Sequence, residues 1–140
     1  MHRFLPFVAL LLLAAAPPEA GRWRTQDGSS VIGIDACAQA IVCGRIIGVS
    51  LDHPTDPPPR DKWGGLQCNE TIIKMTTRED NGRLDGTILD PRSGRLWRAQ
   101  IWRDGADLRL RGYIGLPLFG ATQVWTPYAG PLGPNCAYTR

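Results

Sequence analysis

The chain has 140 residues, of which 16 are Lys or Arg and 13 are Asp or Glu, for a net charge of +3 with 43% apolar residues. That length supports one hydrophobic core and one domain. The charge is mild and the arginines alternate with acids. A nucleic-acid partner would call for a clustered basic face, so none is expected.

Met1-His2-Arg3 is a short basic start, followed by an apolar run through Leu13 and the small residues Ala14-Ala15-Ala16. This is the order of a secretory signal peptide. The run is too short for a bilayer, which needs about 20 apolar residues, and Pro17-Pro18 stops any helix. The expected division is a signal peptide over residues 1–20 and a single domain over residues 21–140. A cut after Ala15 is the competitor to one after Ala20. The first cysteine is Cys37, too far along for a lipid-modified mature N-terminus. No later segment is long and apolar enough to form a transmembrane segment. A soluble mature protein, exported from the cytoplasm, is expected.

Residues 21–26 form a short strand candidate, and Asp27-Gly28 is a hairpin signal. Residues 30–35 are the return strand. Residues 41–49 are rich in β-branched side chains and read as a strand, with Gly44 and Gly48 permitting a bend or bulge. Residues 51–65 hold Pro54, Pro57, Pro58 and Pro59, which no ladder tolerates, and read as a long surface loop. Strands follow over residues 69–76 and 83–89, joined by the Glu79-Asp80-Asn81-Gly82 turn. After the Asp90–Gly94 turn, residues 95–102 place Trp97, Ala99 and Ile101 on one face. Residues 107–114 alternate, with Leu108, Leu110, Gly112 and Ile114 opposed to Arg109, Arg111 and Tyr113, the mark of a sheet wet on one side. Residues 115–120 connect to a last strand over 121–126. The tail from residue 127 to 140 is Pro/Gly-rich and reads as irregular. About eight short strands with no helical periodicity predict an all-β sandwich or a closed up-and-down barrel.

All four cysteines lie beyond the leader. An even count in an oxidising compartment points to two disulfides. Of the three connectivities, Cys37–Cys43 with Cys68–Cys136 is favoured: one closes a local loop, the other ties the tail to the middle of the chain. The spacing of Cys37 and Cys43 does not fit zinc ligation, and no metal or other cofactor is expected.

A catalytic constellation is also missing from the pattern. His53 is the one histidine beyond the leader and sits in the proline-rich loop, where a solvated residue is the plain reading. Ser29, Ser30, Ser50 and Ser93 have no nucleophile-elbow context. Asp80, Asp85 and Asp90 fall at turns or solvent positions, where Asp serves local hydrogen bonding. The chain is therefore read as a non-enzyme. The aromatics offer more: Trp23, Trp97, Trp102, Tyr113 and Trp125 all lie on predicted strands, where they either fill a barrel or line an apolar pocket. Arg45, Arg109 and Arg111 are the polar groups able to meet a ligand anion or an acidic partner.

Several pieces, taken in order, resemble a bacterial family of small secreted proteins classed as a domain of unknown function. They are Gly21-Arg22-Trp23-Arg24-Thr25; Cys43-Gly44-Arg45-Ile46; Asp90-Pro91 with Gly94; Leu110-Arg111-Gly112-Tyr113-Ile114-Gly115; and Thr122-Gln123-Val124-Trp125. The resemblance implies a lipocalin-like (calycin) barrel whose opening strand carries Gly-x-Trp. Two positions depart from that pattern. Leu89 replaces an aromatic before the Asp-Pro turn. Pro127 stands where an Arg after the last Trp would pack over the opening Trp, leaving closure of the barrel bottom to Arg22, Arg24 or Arg111.

Together these readings predict a small lipocalin-like envelope protein that binds an apolar or amphipathic molecule, with Trp23, Arg45, Trp97, Arg111, Tyr113 and Trp125 as candidate ligand-binding residues. The alternative is a solid barrel that contacts another envelope protein through the proline-rich loop and the arginines between residues 95 and 111.

Overall fold

The structure is a computed structural model that describes residues 1–10, 15–115 and 120–140. Its strands are β1 (Gly21–Arg24), β2 (Ser30–Ala38), β3 (Ile41–Ser50), β4 (Thr71–Arg78), β5 (Leu84–Leu89), β6 (Leu96–Asp104), β7 (Asp107–Tyr113), β8 (Gly120–Pro127) and β9 (Ala137–Tyr138). Each of the first seven pairs antiparallel with the next in sequence, and β1 pairs with β8 as well as β2. The sheet therefore closes into an eight-stranded up-and-down barrel, which leaves no free edge among those strands. The expected connection over residues 115–120 falls largely on residues 116–119, outside the described residues.

Period-two alternation sets the inner and outer faces. On β7, Leu108 and Leu110 are buried while Arg109 and Arg111 reach outward. The register carries one inner row around the wall, Leu84 opposite Ile101, Ile101 opposite Leu110 and Leu110 opposite Gln123. The core that fills this interior is mainly aliphatic: Ile32, Ile34, Val42, Ile46, Ile73, Met75, Leu84, Ile101, Leu108 and Leu110, with Trp23 and Trp125. Trp102 and Tyr113 instead lie on the outer face, so the wall is less aromatic inside than the strand pattern suggested. The ladder is irregular at Gly44 and opposite Gly48, where the sequence permitted a bulge. Gly86 is an obligatory close approach: a Cβ there would lie 2.7 Å from the Met75 Cα on the neighbouring strand.

The weakest seam is between β1 and β8, where only Trp23–Pro127 and Arg24–Thr126 pair. Side-chain and flanking bonds lengthen it. The Gln26 amide oxygen accepts the Val124 N–H at 2.8 Å, and the Tyr128 N–H donates to the Arg22 carbonyl at 2.9 Å.

One end of the barrel is floored. Pro17 to Ala20 make a turn, with the Ala20 N–H donating to the Pro17 carbonyl at 3.0 Å. The Trp23 indole N–H donates to the Glu19 carbonyl at 2.9 Å. The Arg103 guanidinium lies 5.1 Å from the centre of the Trp23 ring and donates to the Pro18 carbonyl. Closure thus falls to Arg103, at the end of β6. Arg22 and Arg24 stack on Tyr128 instead, and Arg111 donates to Thr122 on the outer wall.

The tail is more regular than its composition suggested. A 3-10 turn over Pro134–Cys136 leads into β9, which runs parallel to β3 with Val49 opposite Ala137 and Ser50 opposite Tyr138. It covers the part of β3 that β4 leaves unpaired, since β4 pairs β3 only up to Arg45. The Tyr138 hydroxyl donates to the Gly28 carbonyl, and Arg140 donates to the Ser50 hydroxyl at 2.8 Å. The disulfides are Cys37–Cys43 and Cys68–Cys136, the pairing favoured from the sequence.

Their loops differ tenfold, with sequence separations of 6 and 68. In the chain-entropy picture, replacing Cys68 and Cys136 by Ala costs about 4 kcal/mol, against about 2 kcal/mol for Cys37 and Cys43. Urea denaturation of the two double variants checks this. Equal losses, or a larger loss for the short loop, would contradict the tail's role as a staple.

Candidate functional site

The end opposite the floor carries the β1–β2 turn, the proline-rich β3–β4 loop and the β5–β6 turn. A cavity of about 330 Å³ lies there. Its inner part is apolar, made by Ile32, Ile46, Ile72, Ile88 and Trp125, and its rim is polar, with Thr25, Ser29, Ser30, Gln67 and Arg92. Backbone geometry builds this rim. Asp27 accepts from the Ser29 N–H at 2.9 Å and from the Thr25 hydroxyl, which holds the β1–β2 turn. Those bonds lower the Asp27 carboxyl below its ordinary value, although burial, the largest influence, acts the other way. Asp90 likewise accepts from the Arg92 N–H and the Ser93 hydroxyl and fixes the β5–β6 turn. A second, polar cleft of about 360 Å³ shares Ser29, Ser30, Gln67 and Arg92 with the cavity and extends to Ser50 and Arg140. The mouth therefore joins apolar side chains to a polar rim.

The proline-rich loop packs against this rim. The Lys62 N–H donates to the Pro91 carbonyl at 2.8 Å, and Gln67, which is buried, bonds the Arg60 carbonyl through its side chain. His53 is exposed in the loop, and its backbone N–H donates to Asp56. Among the described residues no three His, Cys, Asp or Glu side chains gather where they could hold a metal ion.

The six candidate binding residues separate into three places. Trp125 lines the mouth cavity, with its indole N–H donating to Gln123 at 2.9 Å. Trp97, opposite Ile88 in register, shares the inner face, and the Arg95 guanidinium lies 4.4 Å from its ring centre. Trp23 is at the floor, enclosed. Arg45, Arg111 and Tyr113 lie on the outer wall. Arg45 borders a wide depression of about 700 Å³ beside the Cys37–Cys43 disulfide, with Arg22, Asp35 and Ile47. That depression is larger than the mouth cavity but is set on the outside of the sheet, where residues of the apolar core do not converge on it apart from Ile34. The mouth is the better site on chemical grounds.

Sequence reasoning missed a buried polar cluster on the outer wall. Asp85 is buried and accepts from Arg98, from the Gln100 amide at 3.2 Å and from the Tyr113 hydroxyl at 2.7 Å. Burial, followed by the bond to Asp85, raises the Tyr113 hydroxyl above its ordinary value. The cluster satisfies itself and leaves no acceptor aimed at a ligand, so it is a clasp across β5, β6 and β7. The sequence signal was the register alone, which sets Asp85 opposite Gln100 and, two residues along, Arg98 opposite Tyr113 on three adjacent strands.

Residues 21–127 match a protein family described as an uncharacterized protein conserved in bacteria (DUF2147). No curated protein and no solved structure matches the chain. The tail with β9 and Cys136 lies beyond the matched residues.

At the base of the proline-rich loop, Glu70 has a buried carboxyl oxygen, Oε2, with no hydrogen-bond partner. Burial, then the charge of Asp61 and the bond to it, push the Glu70 carboxyl above its ordinary value. The folded chain therefore holds this proton more tightly than the unfolded chain. Its contribution to stability is complete below the unfolded value and is lost as pH rises through the folded one. Glu70→Gln is expected to raise the melting temperature near neutral pH and to flatten its decline between about pH 4 and pH 7. Thermal denaturation across that range checks it, and an unchanged slope in the variant would contradict the assignment.

Proposed function

Since this chain belongs to DUF2147, a family of uncharacterized proteins conserved in bacteria, we propose from its own geometry that it is a non-catalytic binding protein of the bacterial envelope. It takes a small amphipathic molecule in the barrel mouth, apolar end inward. The observation that carries this reading is the half-open cavity of about 330 Å³, lined by isoleucines and Trp125 together with hydroxyls, Asp27, Asp90, Gln67 and Arg92. That volume is at the low end for ligand pockets. It suits a short acyl or aromatic molecule and not a whole two-chain lipid.

Two features support the envelope assignment. The two disulfides indicate an oxidising location, and the first sixteen residues carry the pattern of a secretory leader. Among the described residues no helix is long and apolar enough to cross a membrane.

A second reading keeps the barrel as a scaffold for contact with another envelope protein. The exposed Trp63 on the proline-rich loop favours it, with 65% of its surface in solvent. Shortening the loop from Leu51 to Gly65 would then remove the partner from an envelope pull-down without loss of ligand binding.

Titration with medium-chain fatty acids, alkyl amines and a hydrophobic dye, followed by tryptophan fluorescence, tests the leading reading. A saturable change is expected with at least one class. Ile88→Glu, which puts a charge into the apolar part of a half-open site, should weaken that binding at least tenfold while leaving the far-ultraviolet circular dichroism unchanged. No saturable change across the classes would remove the proposal.

A further inference from the structure

We infer that export processing cuts this chain ahead of Pro17, at the Ala15–Ala16 bond, so that the mature protein keeps the residues before Gly21 as the floor of its own barrel. The inference rests on the export reading above, since it locates the cut that such a leader undergoes.

The boundary between leader and domain is visible in the packing. Residues 1–10 carry no strand or helix and are exposed, as are Ala15 and Ala16, whereas Pro17 is half-buried and Glu19 is only 1% exposed. Glu19 is tied twice. Its carboxylate oxygens lie 2.8 and 3.3 Å from the two terminal nitrogens of Arg78, and its carbonyl accepts the Trp23 indole N–H at 2.9 Å. The neighbouring Pro18 carbonyl accepts from Arg103 at 3.1 Å. A cut after Ala20 would discard all three acceptors. The buried indole N–H of Trp23 would lose its partner, a costly loss. Arg78 would lose its buried carboxylate partner and Arg103 its bond to Pro18, while a new ammonium formed on Gly21. A floor built this way makes sense only if the residues that form it survive processing.

The choice of bond follows from the alanines. Export processing follows a small residue, and Ala14-Ala15-Ala16 is the last run of small residues before the packed segment; a cut after Ala15 sets Leu13 three places before the bond, where a cut after Ala20 would set Pro18. The Ala16–Pro17 bond is a tertiary amide with no N–H, which leaves Ala15–Ala16 as the last ordinary peptide bond between two alanines. Water adds to the Ala15 carbonyl carbon and the C–N bond breaks. The leader departs with a carboxylate on Ala15, and the mature chain begins with an ammonium on Ala16.

Expression of the full chain in a bacterium, recovery of the periplasmic fraction and intact-mass measurement with N-terminal sequencing test this directly. A mature chain starting at Ala16 is expected. A start at Gly21, or at any residue after Glu19, overturns the inference while leaving export intact. An unprocessed chain confined to the cytoplasm overturns the export reading itself, and the inference with it. A second comparison is independent of the processing enzyme: chains starting at Ala16 and at Gly21 are produced and refolded oxidatively. The shorter chain is expected to melt lower by on the order of 8 °C, and Glu19→Gln in the longer chain should reproduce part of that loss. Equal melting temperatures for the two chains would show that the floor is dispensable and would overturn the inference.

Discussion

The capture of the Trp23 indole is the contact on which the rest of this molecule depends. β1 is only four residues long, yet it must bond to both β2 and β8 for the sheet to close. Four residues of ladder cannot hold that seam by backbone bonds alone. The indole supplies what the ladder lacks. It is buried against the core, its one polar atom is satisfied by the Glu19 carbonyl, and the Arg103 guanidinium covers its outer side. A large aromatic with its N–H paired contributes several kcal/mol in such a position. Because Arg103 comes from β6 and Arg78 from β4, the same small assembly ties the seam to the far wall.

That floor closes one end of the barrel. The interior near Trp23 is packed with aliphatic side chains, and the mouth cavity lies toward the opposite end. There the strands give way to the β1–β2 and β5–β6 turns, each fixed by one aspartate, Asp27 and Asp90. The proline-rich loop lies against the second turn, and the tail, stapled through Cys68–Cys136, reaches the first turn through Tyr138 and Gly28. A rigid lip over an apolar hollow is thus assembled from four parts of the sequence. The outer wall follows a different logic: its charges are mostly satisfied among themselves, as in the Asp85 clasp and the Arg109–Asp104 pair.

The strands were legible because their signals are local. Residues 107–114 alternate cleanly, and Asp27-Gly28 and Asp90–Gly94 mark turns by chemistry that needs no distant partner. The cysteine pairing was legible too, since one pair was near enough to close a hairpin and the other had the tail to anchor. Arg103 was not, because nothing in its neighbourhood signals that it will reach Trp23 eighty residues earlier. Tyr113 and Asp85 were hidden for the same reason: their meeting depends on the register of three strands. β9 was obscured by the prolines and glycines around it, and its two residues pair with β3 only because β4 stops short there. The mouth cavity is likewise a property of closure, and of the six candidate binding residues only Trp125 lines it.

The proposed function requires a barrel shut at the Trp23 end and receptive at the Trp125 end. Nitrogen–proton NMR of the tryptophan indoles, recorded while a short-chain amphiphile is added, addresses both halves at once. The Trp125 signal should move saturably, together with the methyl groups of Ile32, Ile46 and Ile88, while the Trp23 signal stays fixed. Movement of Trp23 with Trp125 unchanged, or shifts confined to the outer wall around Tyr113 and Arg111, would contradict it.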